Sequence, residues 1–279
     1  MPSADQQPIS FEQVAAMPAS PPDHRIAYGS APQQFGHLRL PKGAGPHPTV
    51  IFVHGGCYLA DYSIAHAGAL EQALADSGYA VWSLEYRRVG DPGGGWPGTF
   101  QDLARGADHL KTLAVSYALD LRRVVAAGHS AGGNSALWLA ARSRIPKASP
   151  LWVDQPLSIA GVLALAPAGD FAELHAKKGC GGVMDQLMGG SPASVPDRYR
   201  AASPGELLPI GVPQAVIIGG RDQSFNAFGQ SYVARARAAG EPHLRVIDVA
   251  DAGHFDVIAP GTPTWTIVLN ALQQLFARR

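Results

Sequence analysis

Cysteine is scarce in this sequence. Cys57 and Cys180 are the only two in 279 residues, too few for a disulfide framework and not clustered as a thiolate metal site requires. Both are expected as free thiols in a reducing compartment. Charge is sparse as well, at 16% of residues, and 22 Lys and Arg balance 22 Asp and Glu. No net field is left to steer a polyanion, so nucleic acid is not an expected partner. Long apolar runs are missing: the longest, residues 159–168, has about 10 residues where about 20 are needed to cross a bilayer, so no membrane association is expected. Residues 1–8 contain neither a basic nor an apolar stretch, so no secretory signal is expected and a cytoplasmic location follows by default. With no clustered metal ligands and no phosphate-cradling loop, neither a metal nor another cofactor is expected. The sequence has no internal repeat and no low-complexity segment, and nothing in it specifies an oligomer.

What is present is apolar material, 46% of the residues, enough to offset chain entropy in a folded core. A chain of this length fits one large α/β domain. Residues 1–34 are rich in Pro, Ser, Ala and Gln, and Pro18, Pro21, Pro22 and Pro32 are expected to interrupt any regular element there. They read as an arm wrapping a domain that spans 35–279. Within that domain short apolar runs alternate with amphipathic stretches, which predicts a mostly parallel sheet with crossover helices. Strands are predicted at Phe35–Leu40, Thr49–His54, Ala80–Tyr86, Arg123–Gly128, Ile159–Leu165, Gln214–Gly219 and Leu244–Val249. Helices are predicted at Ala65–Ser77, Phe100–Leu113, Ser130–Arg142, Phe225–Ala239 and Thr262–Ala277. The rhythm breaks at about 168–209, read as a Gly-rich excursion over the sheet with short helices and not as a second domain.

The sharpest chemical signal is Gly128-His129-Ser130-Ala131-Gly132, a G-x-S-x-G pattern placed between an apolar strand and a helix. Small residues at 128 and 132 permit a cramped strand-to-helix turn that presents the serine oxygen, and the helix N-terminus favours developing negative charge. Without that flanking pattern the pentapeptide would read equally well as a glycine-rich turn with a serine cap. Serine is a weak nucleophile at neutral pH and needs a base, itself oriented by an acid, in the chain order Ser, acid, His for this kind of turn. Of the downstream histidines, His254 follows the last predicted strand and is the expected base; His175 and His243 read as surface residues. Asp222, at the end of the strand Gln214–Gly219, is the expected acid, with Asp248 and Asp251 as alternatives better suited to solvated or capping roles. Donors for an oxyanion are expected from the backbone N–H groups of Gly55, Gly56 and Ala131, because glycines at a strand end let backbone approach a substrate. Alone, Gly55-Gly56 would read as a simple turn. Cys57 and Tyr58, next in line, are candidate substrate contacts; the complete serine turn argues against Cys57 as a nucleophile.

Taken together, His54-Gly55-Gly56, the pentapeptide around Ser130, and Gly253-His254-Phe255 after Asp222 resemble the α/β-hydrolase superfamily, in particular hormone-sensitive-lipase-like esterases and kynurenine formamidases. A weaker likeness lies in Tyr86-Arg87 followed by Trp96-Pro97 and Asp102. The resemblance spans about residues 35–279. It implies an α/β-hydrolase fold, a mostly parallel sheet flanked by helices with a short cap excursion, and the roles above for Ser130, Asp222, His254, Gly55, Gly56 and Ala131. Cys57 stands where the lipase-like pattern has a third glycine, which leans toward the formamidase-like subgroup. The segment Gly90–Trp96 reads either as a wall of the site or as a solvated turn. The expected function is hydrolysis of small, short-acyl and aryl carboxylic esters through an acyl-enzyme. The alternatives are arylformamidase activity on the same machinery and a non-catalytic ligand-binding protein on a hydrolase scaffold, since a fold alone does not specify function.

Overall fold

Alternate residues of a strand point to opposite faces of its sheet. In the segment His47–Val53, Ile51 and Val53 enter one apolar cluster while Val50 and Phe52 enter another. A strand apolar on both faces must be covered on both, which is the requirement that organises this chain. The structure is a computed structural model and describes residues 7–277; residues 1–6, the start of the expected arm, and 278–279 lie outside the described residues. The strands are β1 (His24–Ala27), β2 (Phe35–Arg39), β3 (His47–Val53), β4 (Ala80–Leu84), β5 (Leu119–His129), β6 (Gly161–Leu165), β7 (Gln214–Gly219) and β8 (Leu244–Val249). They form one sheet in the order β1-β2-β4-β3-β5-β6-β7-β8. Pairing is antiparallel for β1 with β2 and β2 with β4, and parallel from β4 onward.

The helices are α1 (Phe11–Ala15), α2 (Gly68–Asp76), α3 (Gly98–Asp108), α4 (Leu110–Ser116), α5 (Ala131–Ala141), α6 (Phe171–Ala176), α7 (Met184–Met188), α8 (Pro196–Ala202), α9 (Asn226–Ala238) and α10 (Pro263–Ala277). Buried residues of α3, α4, α5 and α9 share a cluster with Ile51 and Trp82, and those of α2 and α10 share the opposite one with Val50 and Phe52. Met184, Leu187, Met188 and Tyr199 of the excursion join the first cluster. Asp170, which caps α6 by accepting from the Glu173 N–H, pairs with Arg235 of α9. The excursion therefore packs on the main core. Among the described residues, no helix is long and apolar enough to cross a membrane.

Strands lie at all seven segments where apolar runs predict them, and β7 and β8 have the predicted bounds. Two expectations fail. The arm is not free of regular structure: it holds α1 and the edge strand β1. Ser10 and Gln13 close a reciprocal capping box at α1, which satisfies helix-end donors locally, and β1 is held by pairing with β2. The prolines punctuate these elements without preventing them, and Arg39 fastens the stretch between them by donating to the carbonyls of Ser20 (2.7 Å) and Pro21 (3.2 Å). Nor are Cys57 and Cys180 free thiols. They form a disulfide with a Cα–Cα distance of 5.5 Å, because the excursion brings Cys180 over the end of β3, a proximity no spacing in sequence reveals.

That bond spans 123 residues, and closing so long a loop removes much entropy from the unfolded chain. Thiol titration of unfolded, unreduced protein is expected to find no free cysteine. Reduction is expected to lower stability by about 3–5 kcal/mol, read from chemical denaturation with and without a reductant.

Candidate active site

Four parallel strands end at one edge of the sheet, and each delivers one part of the site. At the end of β5, Ser130 has φ 56° and ψ −122°, a left-handed conformation that costs a non-glycine residue about 1–3 kcal/mol. Close packing sustains it. A Cβ on Gly132 would stand 1.9 Å from the Val53 carbonyl oxygen, and one on Gly128 2.1 Å from the Gly132 carbonyl oxygen, so only glycine fits either place. The Ser130 N–H donates to the Leu165 carbonyl (2.8 Å). Its side chain opens into a cavity of about 310 Å³ and makes no hydrogen bond to a described residue.

At the end of β3, His54 Nδ1 donates to the Gly55 carbonyl (2.7 Å), and its Nε2 meets Glu85 Oε1 (3.0 Å). Glu85 also accepts from the Ile64 N–H (3.0 Å) and pairs with Arg88 (3.2 Å). Burial pushes the Glu85 carboxyl up, but the hydrogen bond and charge of His54, with Arg88 behind them, bring it below its ordinary value. Tyr86 stacks on His54 at 4.6 Å and donates to its carbonyl (3.1 Å). This network fixes the chain just before Gly55 and Gly56. Gly56, at φ +111°, and Cys57 line the cavity.

Tyr58, expected beside the substrate, is instead a core residue that does not line the cavity. It is buried, with its hydroxyl donating to the Ala131 carbonyl (2.9 Å) and its ring against Tyr86, Phe100 and Phe171. A left-handed backbone at Cys57 and Tyr58 turns the side chain under α5. The Gly90–Trp96 segment does not wall the cavity either. It wraps Arg87 and Arg88, and the Trp96 N–H donates to the Leu187 carbonyl (2.7 Å) in the excursion. Arg87 in turn holds Asp102 through two side-chain hydrogen bonds of 2.7 Å.

Beyond β7, Asp222 Oδ1 accepts from the N–H groups of Ser224 (3.1 Å) and Phe225 (2.9 Å), which leaves Oδ2 to accept from His254 Nδ1 (2.6 Å). The other histidines and acids stand apart. His175 pairs with Asp185, Asp248 accepts from Gln230, Asp251 is exposed, and His243 lies at the opposite end of β7. The structure thus brings Ser130, Asp222, His254, Gly56 and Cys57 together, with Gly55 against Ser130 and Ala131 following it.

Several contributors were not foreseen. The His254 ring is sandwiched by Phe225, stacked at 4.5 Å, and Phe255, edge-on at 5.0 Å. Phe11 and Glu12 of α1 reach the cavity from the arm, where Phe11 meets Tyr62 at 5.3 Å. Asp256 Oδ2 accepts from both Ile9 N–H (3.2 Å) and Gly253 N–H (2.8 Å), tying the arm to the His254 loop. The phenylalanines flanking the expected acid and base were visible as sequence neighbours; the arm's part depends on tertiary docking. His66 and His129 also line the cavity. Burial, then the charge of His54, pushes His66 down to about 4. Burial, then the charge of His254, holds His129 well below the ordinary imidazole value.

Similar proteins were found at the level of both sequence and structure. The Arabidopsis thaliana probable isoprenylcysteine alpha-carbonyl methylesterase ICMEL1 is 32% identical over 112 residues, 40% of this chain and 23% of that protein. Esterase LipC of Mycobacterium tuberculosis is 25% identical over 274 residues, 91% of this chain and 66% of that protein. The chain thus spans less than two thirds of the length of either relative. Among solved structures, esterase B from Lactobacillus rhamnosis superposes with a TM-score of 0.80 at 23% identity, over 96% of this chain and 90% of that one, which identifies the fold as that of the α/β-hydrolases. The family model described as BD-FAE matches residues 38–236, a stretch that contains the expected oxyanion loop, the serine turn and Asp222, and on that match the chain belongs to the BD-FAE family.

Proposed function

We propose that the protein hydrolyses small carboxylic esters through an acyl-enzyme on Ser130. The observation that carries this reading is the 2.6 Å contact between His254 Nδ1 and Asp222 Oδ2 beside a cavity shared by His254 and Ser130. With Nδ1 donating to Asp222, His254 Nε2 is the nitrogen free to take the Ser130 proton as Oγ attacks the carbonyl carbon. The N–H groups of Gly55, Gly56 and Ala131 receive the oxyanion. Collapse expels the alcohol, which leaves with the proton held on Nε2. Water then repeats the sequence on the acyl-enzyme, releases the carboxylic acid and restores the hydroxyl. The esterase names of both sequence relatives favour esters over formamides. The reducing compartment expected for two free thiols loses its support with the Cys57–Cys180 bond, since disulfides persist mainly in oxidising compartments.

A fluorophosphonate is the fitting probe, and the structural neighbour esterase B is itself described with a tributyrin phosphonate inhibitor. Peptide mapping after treatment is expected to find label on Ser130 and none in Ser130→Ala. Failure of wild-type protein to react would favour the binding-protein alternative. Ser130→Ala and His254→Ala are expected to lose on the order of 10⁴-fold or more in kcat/KM, and Asp222→Asn somewhat less.

The base must be neutral to accept a proton, so kcat/KM is expected to rise with pH along a single acid limb. His66, held down to about 4, and His129, held well below the ordinary value, stay neutral across the assay range and add no second limb. A profile that is flat between about pH 5 and pH 8 would contradict a histidine base.

A cavity of about 310 Å³ suits acetyl to butyryl esters of aryl alcohols. Each methylene that fits contributes about 0.8 kcal/mol, or roughly fourfold, until the space is filled. With a p-nitrophenyl ester series, an optimum at octanoyl or longer would overturn this assignment, and N-formylkynurenine turned over faster than aryl acetates would overturn the ester reading.

A further inference from the structure

His129 sits directly before the expected nucleophile, yet its side chain takes no part in the reaction just described. It is 2% exposed, and its Nε2 lies 2.8 Å from the His254 carbonyl oxygen. We propose that His129 is a positioning residue, which holds the base loop in register with the serine turn by donating its Nε2–H to the His254 carbonyl. This rests on the triad reading above.

A carbonyl oxygen only accepts, so the proton must be on Nε2 and the Nδ1 lone pair is left over. Nδ1 is indeed buried without a partner. An orphaned buried acceptor costs stability, and an apolar side chain would avoid that cost. The donor at the other end of the ring accounts for the presence of histidine. Without it His254 is held by its ring, through Asp222 and Phe225, and among the described residues no other hydrogen bond joins its backbone to the serine turn. His129 supplies that link from the adjoining peptide, with the two imidazoles 4.5 Å apart. The same residue abuts the oxyanion loop: a Cβ on Gly55 would stand 2.8 Å from the His129 carbonyl oxygen and 3.3 Å from Nδ1. Nucleophile, base and oxyanion donors therefore meet around one side chain.

Neutrality suits the role. Burial, followed by the charges of His254 and His66, keeps a proton off Nδ1. His129 gives one hydrogen bond without a charge that would oppose the imidazolium formed on His254 during attack. Misplacing reacting groups by about 1 Å can cost on the order of 10²-fold in rate, which sets the scale of what the link protects.

The test compares His129→Leu, which removes the donor, with His129→Gln, whose amide N–H₂ reaches about as far as Nε2. With p-nitrophenyl acetate, His129→Leu is expected to lower kcat about 10- to 100-fold while KM stays within about twofold. Fluorophosphonate labelling of Ser130 is expected to slow with it, and His129→Gln to recover most of the loss. In the wild-type protein, imidazole ¹H–¹⁵N NMR is expected to show an Nε2–H tautomer at His129 that does not titrate between about pH 5 and pH 8. Wild-type kcat in His129→Leu, a Gln variant no better than Leu, or a proton on Nδ1 would overturn the proposal. The NMR measurement decides if the Leu variant does not fold. Absence of label on wild-type Ser130 would count against the triad alone, because the tautomer is read independently of turnover.

Discussion

The Val53 and His54 carbonyl oxygens at the end of β3 lie 1.9 and 2.6 Å from where a Cβ on Gly132 would begin. This approach of one backbone to another is the constraint on which the rest of the site depends. It lets α5 start directly against the central strand, so Ser130 is forced into its left-handed conformation with its side chain at the sheet edge. It also sets Gly55 against Ser130, so that the proposed oxyanion loop and the proposed nucleophile are neighbours before any side chain is considered. A second contact of the same kind occurs across the sheet. A Cβ on Gly219 would meet the Ala252 carbonyl at 2.5 Å, and one on Gly220 the Ala250 carbonyl at the same distance. The loops carrying Asp222 and His254 are pressed together in this way. The residues proposed to carry the chemistry are thus placed by residues with no side chain at all.

Around this backbone frame the polar groups are divided by charge. Glu85, with His54 and Arg88, forms a buried ionic cluster beneath the oxyanion loop. Beside His254, the rings that line the cavity include the neutral or apolar His66, His129, Phe11, Phe225 and Phe255. On the proposed mechanism, charge developing in the cavity is met by oriented N–H groups, an arrangement that needs little reorganisation during reaction.

Much of this was legible in the sequence because it rests on local requirements. The strands show as apolar runs, the serine turn as two glycines with the right neighbours, and Asp222 and His254 as polar residues just past strand ends. The arm was misread because prolines report only where a helix or strand is difficult; they say nothing of a capping box at Ser10 or of a partner strand at β2. Tyr58 was misassigned because its position in the chain puts it beside the cavity, while two successive left-handed residues turn it into the core. The disulfide was missed for a related reason. Its partners are brought together by the path of the excursion, and that path depends on packing of α6, α7 and α8 that has no short-range signature.

The bond between Cys57 and Cys180 makes these two positions inseparable in any mutational history of the protein. Replacing both removes a tether and leaves an otherwise ordinary rim. Replacing Cys180 alone leaves the Cys57 thiol in the wall of the Ser130 cavity, where it becomes a soft nucleophile open to acylation, oxidation or metal capture. The intermediate with one cysteine is then worse placed than either endpoint, so a library that samples these sites one at a time would meet a barrier that a paired exchange avoids.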